Sequence, residues 1–183
     1  MTDQLPTSFP DADFRLAVPD GDDRVRRMCT RCNFIDYVNP KIVAGAVVVQ
    51  DGMILLCKRA IAPRIGYWTL PAGFMEEGES IEEAAKREAR EEAMAQIEID
   101  QLLAVYSVPR IAQVQVMFRA RLISDFAPGP ESTEVKLVPW RDIPWSELAF
   151  PTVVWALTQY AESRHLPAFP PYSNPPGTDR LTR

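Results

Sequence analysis

Lys41 to Gln50 reads KIVAGAVVVQ, an almost unbroken run of small and β-branched apolar residues, the pattern of a strand covered on both faces. Asp51-Gly52 follows, and MILLCKRA after it is a second apolar run, so the pair predicts a β-hairpin. From Ile61 to Phe74 the period disappears and Pro63, Gly66, Pro71 and Gly73 punctuate the chain, which predicts a loop. Ser80 and Glu83 then form an S-x-x-E capping box, and the Ala-, Glu-, Lys- and Arg-rich stretch to Ala95 predicts a long helix. Apolar runs at 97–107, 114–123 and 134–140 predict three more strands, the last two separated by the turn-rich FAPGPEST, and 152–163 predicts a second helix. A hairpin, an acidic helix, further strands and a closing helix make one mixed α/β domain over 28–165. Before it, residues 1–27 are polar, carry Pro6, Pro10 and Pro19, and read as a loosely held arm. After it, 166–183 is a Pro-rich tail expected to be irregular or disordered.

Composition narrows the classes. Of 183 residues, 46% are apolar and 25% charged, enough to bury a core, which excludes wholesale disorder. The net charge of −5 argues against non-specific nucleic-acid binding, which needs a positive field. No run approaches the ~18 apolar residues of a membrane span, and MTDQLPTSFPDADF has neither a basic start nor an apolar stretch. Three cysteines make no disulfide framework, so a soluble, cytoplasmic protein with no membrane partner is expected.

The charge is not spread evenly. Between Gly73 and Glu92 eight acids face three bases, so these twenty residues carry as much net charge as the whole chain. A solvated helix explains part of this, because Glu82 with Lys86 and Glu83 with Arg87 are i,i+4 pairs worth about 0.3–0.5 kcal/mol each. It does not explain Glu88, Glu91 and Glu92, whose spacing puts three carboxylates on one face within a turn. Such a cluster calls for a positive partner, Arg90 points elsewhere, and oxygen-only ligands suit Mg²⁺ or Mn²⁺. Backbone carbonyls of the preceding Gly-containing loop are further candidate ligands.

GFMEEGESIEEAAKREAREEAMA resembles the Nudix box, G-x5-E-x7-R-E-U-x-E-E-x-G-U with U apolar. Gly73, Glu79, Arg87-Glu88 and Glu91-Glu92 fill the fixed positions, and Ala89 and Ala95 the apolar ones. Met94 stands where the pattern has glycine, which is expected to alter the helix exit. YVNPKIVAGAVVV, LLCKRAIAPRIGYWTLPAGFMEEGES and FAPGPESTEVKL are similar to a subgroup of FAD and ADP-ribose pyrophosphatases, over about residues 17–160. The resemblance implies an α/β/α sandwich around a mixed β-sheet, with a loop-helix-loop Nudix box. It implies Mg²⁺- or Mn²⁺-dependent hydrolysis of a nucleoside diphosphate linked to another group, FAD to FMN and AMP first, then ADP-ribose, NADH or another nucleotide. The alternative of a different class is a non-catalytic nucleotide-sensing module, which the retained acids argue against. Relatives are mostly homodimers. By the same resemblance Glu88, Glu91, Glu92 and the Gly73 carbonyl hold the metal, and Arg87 pairs with Glu79 to orient the loop. The proton acceptor stays open between Glu91, Glu92 and Glu134.

Other positions carry weaker readings. Cys29-Thr30-Arg31-Cys32 is half of a zinc ribbon, and the upstream pair that relatives carry is missing, so a bound Zn²⁺ is not expected. Cys57, at strand spacing, reads as a core filler, and the single His165 as an exposed residue. Tyr67 and Trp68 precede the box, where a base or flavin ring would stack, and Arg64 and Arg110 are candidate phosphate or ribose contacts, all equally readable as core or solvated surface.

Overall fold

The computed structural model describes residues 13–178, so the outer parts of the expected arm and tail, 1–12 and 179–183, lie outside the described residues. Packing divides the chain after Asn39. The first unit is a three-stranded antiparallel sheet of β1 (Phe14–Ala17), β2 (Arg26–Cys29) and β3 (Ile35–Asp36). Within 13–27 this corrects the reading of an arm without strands. The strands escape the pattern because they are two to four residues long, too short to show a period. Arg26 pairs with Asp22 at 3.0 Å, and the Arg27 guanidinium lies 4.7 Å from the centre of the Phe14 ring.

The second unit contains β4 (Lys41–Gln50), β5 (Met53–Arg59), β6 (Trp68–Thr69), β7 (Ala72–Phe74), α1 (Ile81–Ala93), β8 (Ile97–Val108), β9 (Gln113–Leu122), β10 (Ser132–Pro139) and α2 (Pro151–Ser163). The sheet runs β10-β5-β4-β9-β8, mixed because β4 and β9 are parallel and the other pairs antiparallel. The β4–β5 hairpin pairs only at Val49–Ile54 and Gln50–Met53 and then opens. In the opening β7 pairs with β4 and β6 with β5. The loop expected at 61–74 therefore holds two strands, too short to show a period.

Alternation along β4 separates two cores. Ala44, Ala46 and Val48 face α1, whose Ala84, Ala85, Ala89 and Ala93 pack there with Leu55, Phe118 and Leu122. Val47 faces the other side, with Ile54, Leu56, Leu103, Tyr106 and the α2 residues Val153, Trp155 and Leu157. This is the expected α/β/α sandwich, and the small alanine face lets α1 sit close to the sheet. The tail is irregular yet pinned to the β8 edge. Tyr172 donates to the Leu103 carbonyl (2.8 Å) and accepts from the Val105 N–H (3.0 Å), and the Asn174 amide bonds both backbone groups of Ser107 (2.9 and 2.8 Å). Among the described residues no helix is long and apolar enough to cross a membrane.

Candidate active site

The site grows from the N-terminus of α1. Ser80 accepts from the Glu83 N–H (3.3 Å) while Glu83 accepts from the Ser80 N–H (2.7 Å), closing the capping box. The preceding loop folds back through Glu79, which accepts from the Glu76 N–H at 2.7 Å. Arg87, one face further along, donates to Glu79 through Nε (3.1 Å) and Nη2 (2.8 Å), and Nη2 also bonds the Phe74 carbonyl (2.8 Å). This fork fastens the loop to the helix in one geometry. Its remaining nitrogen, Nη1, serves Glu88 at 2.6 Å and Glu91 at 2.9 Å.

That arrangement amends the charge argument. The positive group among the clustered acids is Arg87, which answers Glu88 and Glu91 and leaves Glu92. Glu92 is buried, and its Oε2 has no hydrogen-bond partner. Burial, and then the charge of Glu88, push its carboxyl up to about 8. Glu88 is raised as well, first by burial and with Arg87 opposing. Gly73 lies against Glu88 so closely that a Cβ there would run into the carboxylate. A buried carboxylate oxygen without a donor, beside a second carboxylate over a glycine, fits a hard divalent cation with oxygen ligands. Among the described residues no three acidic, Cys or His groups stand ready around a common point, consistent with Arg87 occupying two of the three carboxylates.

Metal-free stability should therefore depend on pH in a set direction. An unfolded Glu92 titrates near 4.5 and the folded one near 8, so between these values the folded chain holds a proton that the unfolded chain has lost. Stability conferred by the neutral carboxyl is present at the acid end of that window and is lost as pH rises through 8. In EDTA-treated protein the urea midpoint should fall from pH 6 to pH 8.5, and Glu92→Gln should flatten that fall.

At its other end α1 leaves through Met94, at φ 50° in the left-handed region, with the Met94 N–H on Arg90 (2.9 Å) and the Ala95 N–H on Ala89 (3.1 Å). The exit expected to change is thus the same tight turn, made by a residue that pays about 1–2 kcal/mol for it. Met94→Gly should raise the urea midpoint by the equivalent of about 1 kcal/mol. The loop FAPGPEST closes over this end. Ala127 N–H bonds the Ala93 carbonyl at 2.9 Å and Gly129 N–H the Glu92 carbonyl at 3.0 Å, while the Glu131 carbonyl accepts from Ala60 N–H at 2.8 Å. Glu131, exposed, is thereby near enough to raise the carboxyls of both Glu88 and Glu92, and Arg59 is near enough to lower Glu92. Sequence reasoning missed both, because Glu131 reads as a turn residue and Arg59 as the end of a strand.

The remaining candidates disperse. Glu134, at the start of β10, is ion-paired to Lys136, which holds its carboxyl below the usual range. Trp68 is 7% exposed, with the Lys58 and Lys136 ammonium groups 5.5 and 5.7 Å from its ring centre, so little of the ring is free to stack. Tyr67 is half-buried, with the Arg64 guanidinium 5.1 Å from its ring centre. Arg110 is exposed in the short turn Pro109–Ile111 between β8 and β9.

The chain matches two family models, the NUDIX domain over residues 39–157 and the zinc-ribbon family described as Nudix N-terminal over 12–38. It is similar to the crystal structure of a NUDIX hydrolase from Nitrosomonas europaea, with 47% identity and a TM-score of 0.82, covering 88% of this chain and 93% of that one. It is 33% identical over 119 residues to a protein of Methanocaldococcus jannaschii named ADP-ribose pyrophosphatase, covering 62% of this chain and 69% of that protein. A MutT-like protein of Streptomyces ambofaciens is 38% identical over 79 residues, 43% of this chain and 49% of its own length.

Proposed function

This chain belongs to the Nudix family of hydrolases, and from that membership we propose that it splits the diphosphate of a nucleoside diphosphate linked to a second group, with ADP-ribose as the leading substrate. The observation that carries the reading is the Arg87 fork beside an unpartnered, buried Glu92 Oε2. Glu88, Glu91, Glu92 and the Gly73 carbonyl would hold Mg²⁺ or Mn²⁺. When bound, such an ion offsets the negative charge of the diphosphate and favours attack by water on phosphorus.

The chain's own residues supply the rest. Arg87 keeps Nε and Nη2 on Glu79, so the loop stays oriented when Nη1 releases Glu88 and Glu91. Glu92 gives up its proton as the site takes on positive charge, because the desolvation that raised its carboxyl is then opposed by attraction. The proton of the attacking water goes to an exposed carboxylate at the rim. Glu131, exposed beside Glu88 and Glu92 and outside the metal-holding set, fits that role. Glu134 is already held by Lys136, and Glu92 is committed inside the site.

For the substrate, the similarity to the Methanocaldococcus jannaschii protein supports ADP-ribose. The covered Trp68 ring argues against a stacked flavin at that position. FAD remains a second reading through Tyr67 and Arg64, which together form a partly open aromatic–cation platform before the box. Hydrolysis of ADP-ribose, FAD, NADH and a nucleoside triphosphate, run in parallel with Mg²⁺ or Mn²⁺, tests the choice. ADP-ribose should be preferred and yield AMP and ribose 5-phosphate. A preference for FAD yielding FMN and AMP would move the assignment to the second reading, and equal slow turnover of all four would overturn both.

A further inference from the structure

The N-terminal unit presents a metal site that its residues do not complete. A zinc ribbon needs four sulfur or nitrogen donors around one ion. Residues 12–38, which match that family, contain Cys29 and Cys32 and no other cysteine or histidine. Residues 1–11 contain neither type, the third cysteine, Cys57, is buried in β5, and the single histidine is His165. Two thiols alone do not satisfy a tetrahedral zinc.

The turn between the cysteines is held by the protein itself. Thr30 donates through its N–H (2.7 Å) and Oγ1 (3.1 Å) to the Asp13 carbonyl, and Arg31 pairs with the Asp13 carboxylate at 2.9 Å. The Cys29 N–H bonds the Phe34 carbonyl (2.8 Å) and the Asn33 N–H the Cys29 carbonyl (3.0 Å), with Asn33 at φ 58° turning the chain back. This closure sets Cys29 and Cys32 at the two ends of one tight turn, three residues apart along the chain. Cys29 is 8% exposed, whereas Cys32 is open to solvent. One reachable thiol and one sheltered thiol, at the ends of a C-x-x-C turn, have the arrangement that an attacking and a resolving cysteine require.

We propose that Cys29 and Cys32 are a metal-free dithiol that closes reversibly to an intrachain disulfide, with a small-molecule disulfide as oxidant. The Cys32 thiolate attacks one sulfur of the oxidant, forming a mixed disulfide and releasing one thiolate. The Cys29 thiolate then attacks the Cys32 sulfur, forming the Cys29–Cys32 bond and releasing the second thiolate. The two protons lost by the cysteines end on the two released thiols, and two electrons pass from the protein to the oxidant. Reduced glutathione reverses both steps.

The test equilibrates the full chain in buffers running from reduced to oxidised glutathione, followed by denaturing alkylation and intact-mass measurement. Alkylatable thiols should fall from three to one, with a mass lower by two hydrogens, and return to three on reduction. Trypsin cleaves after Arg27, Arg31 and Lys41, so the oxidised sample should yield 28–31 disulfide-linked to 32–41. Cys32→Ser should abolish the two-hydrogen loss, as should Cys29→Ser. Three alkylatable thiols at every ratio, or separate glutathione adducts without a cross-link, would overturn the proposal. So would stoichiometric zinc that protects both thiols in protein produced in zinc-supplemented medium.

Discussion

Glu92→Gln should lower the turnover number of the metal-saturated enzyme by on the order of 10²-fold or more, and should leave the metal-free protein at least as stable as the wild type at pH 8. The two halves have one cause. The Glu92 carboxylate is buried with an oxygen that nothing in the protein satisfies, so in the absence of metal it is a cost that folding carries. Glutamine fills the same volume without the charge and removes that cost. It also removes a negative oxygen ligand from the set that would hold the cation, and transition-state stabilisation goes with it. Turnover assays across a metal titration, paired with urea melts in EDTA, read the two effects separately. Wild-type turnover in the variant would remove Glu92 from the ligand set. A strongly destabilised metal-free variant would mean that the carboxylate is a structural acceptor.

Gly129→Ala should destabilise the chain by about 3 kcal/mol or more, against about 1–2 kcal/mol for Gly66→Ala. Both are loop glycines, and the difference lies in what a Cβ meets. At Gly129 it would overlap the Glu91 carbonyl, a backbone atom of α1 that cannot move without unwinding the helix end. At Gly66, φ is +81° and nothing lies within 4 Å, so only the left-handed backbone is penalised. Because Gly129 also donates to the Glu92 carbonyl, whatever fraction of the variant folds should hold Glu131 and Glu92 out of register and lose activity as well. Denaturant melts of both variants, with residual hydrolysis, test this. Equal melts for the two would mean that the loop shifts freely over the helix end.

Much was legible before any coordinates. The ten-residue apolar run of β4, the capping box of α1 and the spacing of Arg87, Glu88, Glu91 and Glu92 are local signals, because a helix or strand places residues by chain separation alone. The fork from Arg87 to Glu79 was expected only through the resemblance to the Nudix box, and the structure forms it across eight residues of loop and helix. The small sheet before residue 39 was not legible, since strands of two to four residues leave no period. Nor were β6 and β7, which exist only because the β4–β5 hairpin opens and exposes two sets of unpaired backbone groups.

The chain alone thus set acids and a base at helical intervals on one element, and the resemblance of that spacing to the Nudix box pointed to the family of chemistry. Tertiary packing decided which of those acids is free and which is spent. Glu92 is isolated because the alanine face of α1 presses it against β7. Trp68 is closed off because β6 turns it into the second core under two lysines. Glu131 reaches the site because FAPGPEST crosses the helix end. Each depends on a contact between segments distant in sequence, where burial and close approach, not spacing, set the energy.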